Sequence, residues 1–434
     1  MYYSATLARK NRQWMPQFAV PLRHFVLADG EAIDHDKTLD WYAELVSLHV
    51  TILKEIMAKE LDNDPDIAEL MALLDLMDNL PGEWNRQYLC QPIFCMWLNL
   101  VLKSFEDHSS LKNCTDQLYT LPLLLISLLQ SIQADFQMRI WIGKAVDPIG
   151  LSWGLSAVNP GFHTLIVSPS AQEMSIWRDE ECLATWSYDS LQPLQKSASV
   201  CMHRPGLLGV YDRYYALDSI EITDYERYAH FGWKDYKHLD YDQSTAEILQ
   251  YMDASFTCLE SAWPEALRGM QTYGRLLAVG SPMNLDSNNS ASMNIFPFAQ
   301  ALEVPLKHPL KNLESMIHEM SHCKLHILLA GEKLYHNADD DLSFRHPWLP
   351  MARPLRGVML GSHAFLNVLE LYTRTSRTLP EMEAFSCEQF ALRQAEVQHV
   401  LFEEAVKGDF TPKGLEFLTL MQDRFRTLAA EMRS

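Results

Sequence analysis

The chain has no long apolar run, no paired cysteines, no internal repeat and no low-complexity linker. Its most apolar stretch, LPLLLISLL at 121–129, contains Pro122 and is far shorter than the roughly 20 residues that a bilayer-spanning helix needs. The first residues, MYYSATLARKNRQWMPQF, carry early charges and no apolar core of the secretory kind. A cytoplasmic protein with no membrane partner is expected. The eight cysteines (Cys90, Cys95, Cys114, Cys182, Cys201, Cys258, Cys323, Cys387) include no C-x-x-C pair, which argues against a zinc ribbon or a disulfide frame and for reduced, mostly buried thiols. Positive charge is scarce too: 36 Lys and Arg stand against 56 Asp and Glu, a formal net charge of −20. A field of that sign excludes a chain that coats nucleic acid or an anionic membrane through its overall charge.

What is present points to a folded protein. Hydrophobic residues make up 48% of the 434, and aromatics 11%, enough for a sizeable core. At about 150 residues per domain the length suggests two or three domains. Residues 1–150 read mainly helical: TLDWYAELVSLHVTILKEIMAKEL and NDPDIAELMALLDLMDNLPGEW space their apolar residues at helical intervals, and IFCMWLNLVLKSF and LPLLLISLLQSIQADF read as buried helices. Over 160–225 short β-branched and aromatic runs, broken by Ser, Pro and Gly, predict strands and hairpins. Helical spacing returns over 244–272, 312–330, 355–374 and from 380 to the end, with two strand-like runs around a Ser/Asn-rich loop between 275 and 306. The expected fold class is α+β, predominantly helical, with a small β region in the middle of the chain. The expected division is 1–235, a helical and β region, and 236–434, a metal-binding catalytic domain.

The residues that carry chemistry lie at 316–323, MIHEMSHC. His318-Glu319-Met320-Ser321-His322 is an HExxH motif. On a helix, histidines at i and i+4 share one face, so both rings can meet one metal ion, and Glu319, about 100° round, can reach a group bound to it. Asn312 is a candidate N-cap and Gly331 a candidate stop, with Met316, Ile317, Met320, Ile327 and Leu328 as the apolar face. Cys323 points the wrong way round the helix to join, and His326 lies two turns from His318, too far to share the metal with both.

A third ligand is expected from LRGVMLGSHAFLNVLELYTR, which is apolar except for the stripe His363, Asn367, Glu370, Arg374. Such a stripe must find partners if buried. Packed against the HExxH helix, it offers His363 or Glu370. Its other reading is the solvated face of an amphipathic helix. Between the two helices, Arg345, Arg353 and Arg356 stand out in an acidic chain. Arginine suits bidentate capture of a carboxylate, though ion pairs with Asp339, Asp340 and Asp341 would explain them as well.

His318-Glu319-x-x-His322-x-Lys324-Leu325, then Pro347-Trp348, Arg353-Pro354-Leu355-x-Gly357, Leu360-Gly361 and Ala364-x-Leu366-x-Val368 together resemble the HEXXH motif-containing peptide-modification family, whose members accompany ribosomally made, post-translationally modified peptides. The resemblance covers about 240–400 and is strongest over 316–374. It implies an iron(II)- and 2-oxoglutarate-dependent hydroxylase acting on the β-carbon of a residue in a precursor peptide. In that reading His318 and His322 bind iron(II), with His363 or Glu370 as third ligand, and Arg353 or Arg356 anchors the far carboxylate of 2-oxoglutarate. Members carry Tyr where this chain has His363, and His where it has Phe365. The competing expectation is a zinc peptidase in which His318, His322 and Glu370 hold zinc, Glu319 activates water, and the preceding strands bind an extended substrate by β-augmentation. A third is a peptide-binding scaffold with a structural metal site. Residues 1–235 would help recognise the peptide, with the aromatic stretch 211–241 as a contact surface.

Overall fold

The computed structural model describes residues 22–26, 35–60, 67–79, 89–108, 118–125, 136–142, 147–149, 153–157, 161–168, 171–187, 193–195, 200–203, 207–211, 220–224, 236–237, 245–282, 290–293, 296–303, 308–347 and 349–433. Most of the aromatic stretch 211–241, and Trp348, lie outside the described residues. The described elements are mostly helices with several small sheets, an α+β architecture of predominantly helical character. Among them no helix is long and apolar enough to cross a membrane. Chain contacts define two units: Met1–Pro16, Leu39–Tyr211 and Glu221–Leu239 form one, and Gln17–Thr38, Asp212–Ile220 and Asp240–Ser434 the other.

In the first unit, helices within 39–108 accompany a five-stranded antiparallel sheet. Its strands lie in the order Phe136–Ile142, Gly161–Ser168, Glu173–Arg178, Glu181–Ser187, Pro193–Gln195. Strand 136–142, FQMRIWI, corrects the mainly helical reading of residues 1–150. Met138, Ile140 and Ile142 are buried while Gln137, Arg139 and Trp141 are not, a period of two that the apolar run before it obscures. The described helix in that run is only Leu121–Leu124. Ile140, Ile142, Leu165, Val167, Met174, Ile176 and Trp186 form the core.

In the second unit, α1 (Thr245–Ala262) and α2 (Pro264–Tyr273) divide the predicted 244–272 helix at Trp263, because Pro264 is accommodated as the first residue of a new helix. Strand β1 (Leu276–Pro282) pairs in parallel with β3 (Phe296–Glu303), and β2 (Ala291–Met293) pairs antiparallel to β3. Leu276, Leu277, Ala278 and Val279 are all buried, so both faces of β1 are covered. Then come α3 (Pro309–Gly331), the hairpin β4 (Phe344–His346) and β5 (Leu349–Arg353), α4 (Leu355–Thr378), α5 (Glu383–His399), a π-helical turn Val400–Glu404, and α6 (Pro412–Glu431).

Helix α3 begins earlier than Asn312. His308 is the extended cap and Pro309 the first helical residue. Asn312 is instead buried inside the helix and donates from Nδ2 to Ser255 Oγ of α1 at 3.0 Å. The helix packs against α1, α2, β3 and α4. Its polar side chains are therefore held among neighbours, and each needs a partner. At the far end, Thr411 caps α6 by accepting from Gly414 N at 3.1 Å. Gly414 is required there, since a Cβ would stand 1.7 Å from Leu334 O.

Candidate metal centre

The HExxH residues occupy the middle of α3, where the surrounding helical hydrogen bonds fix their Cβ directions. His318 Nε2 and His322 Nε2 lie 2.9 Å apart, with ring planes nearly perpendicular at 86°. Two nitrogens that bind one zinc or iron at about 2.0–2.1 Å stand about 3 Å apart when the angle between them is near a right angle. The pair is thus already spaced for one ion. Burial holds His318 well below the usual histidine range, and His322 and Arg393 push the same way. Burial lowers His322 as well, against the opposing pull of Glu319. Both rings are neutral at physiological pH and have lone pairs to give. The His318 side chain keeps 19% of its surface exposed, which leaves an approach to the pair.

Glu319 is 2% exposed, and its Oε1 lies 4.0 Å from His318 Nε2. That exceeds the spacing of neighbouring ligands on one ion. Ser290 Oγ donates to Oε1 at 2.6 Å, while Oε2 is buried with no hydrogen-bond partner. His322 Nδ1 is also buried without one. Across from the pair, Phe365 of α4 meets the His318 ring edge-on, with centroids 4.6 Å apart at 67°. Arg393 of α5 lies over the Phe365 ring at 5.0 Å and donates to Glu314 Oε1 at 3.2 Å. Tyr372 donates to Glu314 Oε2 at 2.7 Å. Among the described residues, His318, Glu319 and His322 form the group whose donor atoms all lie within 4.8 Å of one another.

The two expected third ligands are not brought to this group. His363 is wholly buried, with Nδ1 3.1 Å from Ser321 O and Nε2 2.6 Å from Phe25 O. Both ring nitrogens are directed at backbone carbonyls. Glu370 is 1% exposed and accepts from Arg424 at both oxygens, through Nε at 2.9 Å and through Nη2, and from Arg374 Nε at 2.9 Å. The stripe on α4 is therefore neither a solvated face nor a ligand set. It is a buried network closed by carbonyls and arginines. Cys323, turned away as its helical angle requires, donates from Sγ to Ala299 O at 3.5 Å.

The arginines divide. Arg356 donates to His326 Nδ1 at 3.3 Å and to Asp339 Oδ2 at 3.4 Å, so it has the aspartate partner that its surroundings suggested. It is also tied to the histidine one turn, about 6 Å, beyond His322. Arg353 lies at the end of β5 with Nε buried and unpartnered. Arg345 is exposed, and its backbone N–H donates to Glu404 Oε2 at 3.1 Å.

Sequence reasoning missed Ser290, Phe365 and Arg393 as surroundings of the pair. Ser290 is one of several serines in a polar loop and carries no mark. No family model matches the chain, and no curated protein matches it.

Proposed function

We propose that this chain is a metalloenzyme with its metal on His318 and His322, and that it hydroxylates the β-carbon of a residue in a ribosomally made precursor peptide, using iron(II) and 2-oxoglutarate. The observation that carries the metal site is the 2.9 Å spacing of two neutral Nε2 atoms beside a buried, half-satisfied carboxylate. The choice of reaction rests on the resembling block over 316–374 and on Arg356. That guanidinium meets His326, one helical turn past His322, and arginine is the residue suited to capture a carboxylate. Arg353 Nε is a second donor with unused capacity. Iron with 2-oxoglutarate supplies the oxidising power for an unactivated C–H bond. The chain's own part is to hold the metal through the two imidazoles and the keto acid through arginine, and to close the back of the site with Phe365.

One observation favours a second reading. A carboxylate next to the pair with spare acceptor capacity is what a zinc peptidase uses to take a proton from attacking water. The deciding experiment is anaerobic addition of iron(II) and then 2-oxoglutarate to the purified protein. The visible charge-transfer band of a metal-chelated keto acid is expected, and it should vanish in His318→Ala. Absence of the band together with tightly held stoichiometric zinc would overturn the hydroxylase and leave the peptidase.

A further inference from the structure

We infer that Ser290 is a positioning residue for Glu319, holding its carboxylate beside the His318–His322 pair so that it can accept a hydrogen bond from a ligand on the metal. The inference rests on the metal-centre reading above but not on which reaction the centre performs.

Three observations carry it. Glu319 is 2% exposed, on a helix where the buried Asn312 and Ser321 side chains both have partners. Among the described residues its hydrogen-bond donor is Ser290, at 2.6 Å. A carboxylate can accept at about four lone-pair sites. One is taken, and Oε2 takes none. A buried carboxylate with an unpartnered oxygen is costly unless something else completes it, and this carboxylate lies beside the imidazole pair, with Oε1 4.0 Å from His318 Nε2.

The placement also explains why the donor is a hydroxyl at this point of the chain. Ser290 directly precedes β2, which pairs with β3, and both strands pack on α3. The sheet therefore fixes where the hydroxyl arrives. A hydroxyl can donate to Oε1 without bringing a charge, whereas a lysine or arginine there would add a positive charge beside the pair.

The test uses cobalt(II) as a spectroscopic probe metal in the full-length protein, with acetohydroxamic acid as the probe ligand. A metal-chelated hydroxamic acid presents polar hydrogens beside the metal, so its affinity reports a neighbouring hydrogen-bond acceptor. Wild-type, Glu319→Gln, Ser290→Ala, Ser290→Thr and His318→Ala are compared for cobalt affinity and for hydroxamate affinity read from the cobalt band. Glu319→Gln and Ser290→Ala should each retain cobalt within a few-fold and weaken hydroxamate by about tenfold or more, the scale of a hydrogen bond to a charged group. Ser290→Thr, which keeps the hydroxyl, should restore it to near wild type.

Ser290→Ala with wild-type hydroxamate affinity, while Glu319→Gln is weakened, would overturn the role of Ser290. Loss of cobalt itself in Glu319→Gln would make Glu319 a ligand and overturn the inference from the other side. If His318→Ala binds cobalt as tightly as wild type, the metal-centre reading fails on its own, and that result is distinct from the other two.

Discussion

The polar sets around the HExxH pair on α3 and along α4 make an instructive pair, for the two helices pack on each other. On α4, two arginines meet the Glu370 carboxylate, Asn367 Nδ2 donates to His363 O at 2.9 Å, and the His363 ring lies between two backbone carbonyls. On α3, His318, Glu319 and His322 are left incomplete. Two nitrogens face each other, and one carboxylate oxygen and one ring nitrogen have no partner. Unsatisfied buried polar groups are rare in folded proteins because each costs about 1–3 kcal/mol. The α4 set is accounted for by folding alone, and the unpartnered α3 set is what the proposed metal would complete.

The comparison is broken most forcefully at Arg424. Removing one member of a buried ion pair leaves a buried charge, at a cost of about 3–5 kcal/mol. Arg424, 7% exposed, meets Glu370, 1% exposed. Arg424→Met should lower the urea-unfolding free energy by about that much while leaving cobalt affinity at the His pair unchanged, and adding Glu370→Gln should recover a large part. A loss below 1 kcal/mol would show that the α4 network is not structural. The reciprocal change is His318→Ala. It should weaken cobalt binding at least 100-fold, about 2.7 kcal/mol, and leave the stability of the metal-free protein within about 1 kcal/mol of wild type. Large destabilisation with unaltered metal affinity would reverse the assignment of the two sets.

How far the sequence could be read follows from the same contrast. The HExxH spacing is a local property of one helix, so the approach of His318 to His322 was legible from four intervening bonds of α-helix and needed no tertiary knowledge. The polar stripe on α4 was visible for the same reason, and so was its need for partners. What could not be read was which partners. Arg424 lies 54 residues from Glu370 and Phe25 lies 338 residues from His363, and no periodicity links them. Asn312 looked like a cap because it is a good one intrinsically, but Pro309 opened the helix a turn earlier and left Asn312 to bind Ser255. The strand at 136–142 was legible in its alternation and was hidden only by the apolar run before it. Ser290 was beyond reach, because a hydroxyl becomes a specific donor only once the sheet has placed it.

Acid sharpens the comparison more gently. An unfolded histidine takes up a proton near pH 6.5. Burial pushes His363 down to about 3, with Lys324 and His322 pressing the same way and the carbonyls of Phe25 and Ser321 opposing. Below pH 6.5 the unfolded chain therefore binds the proton that the folded ring refuses, and stability falls as pH drops toward 3. Each such histidine contributes a slope of up to about 1.4 kcal/mol per pH unit. His363→Gln should remove one proton's worth of slope between pH 6 and 4 in urea unfolding followed against pH. An unchanged slope would mean that the ring between its two carbonyls is already charged in the folded protein.

The smallest expected effect asks why the centre has only two imidazoles among its described neighbours. Phe365 is the α4 side chain that meets His318, at 4.6 Å between ring centroids, whereas His363, two residues earlier, turns its nitrogens to Ser321 O and Phe25 O. Successive helical positions differ by about 100°, so a histidine moved from 363 to 365 would swing from the carbonyls to the pair. Phe365→His should therefore raise cobalt affinity by about tenfold, or about 1.4 kcal/mol. That gain is net of the lost contact between Arg393 and the phenyl ring, on the order of 0.5–1 kcal/mol. An affinity equal to wild type would show that position 365 closes the site without facing the metal, and that α4 contributes only its completed network. A gain would show that an open coordination position faces α4, and that phenylalanine keeps it free of protein ligands.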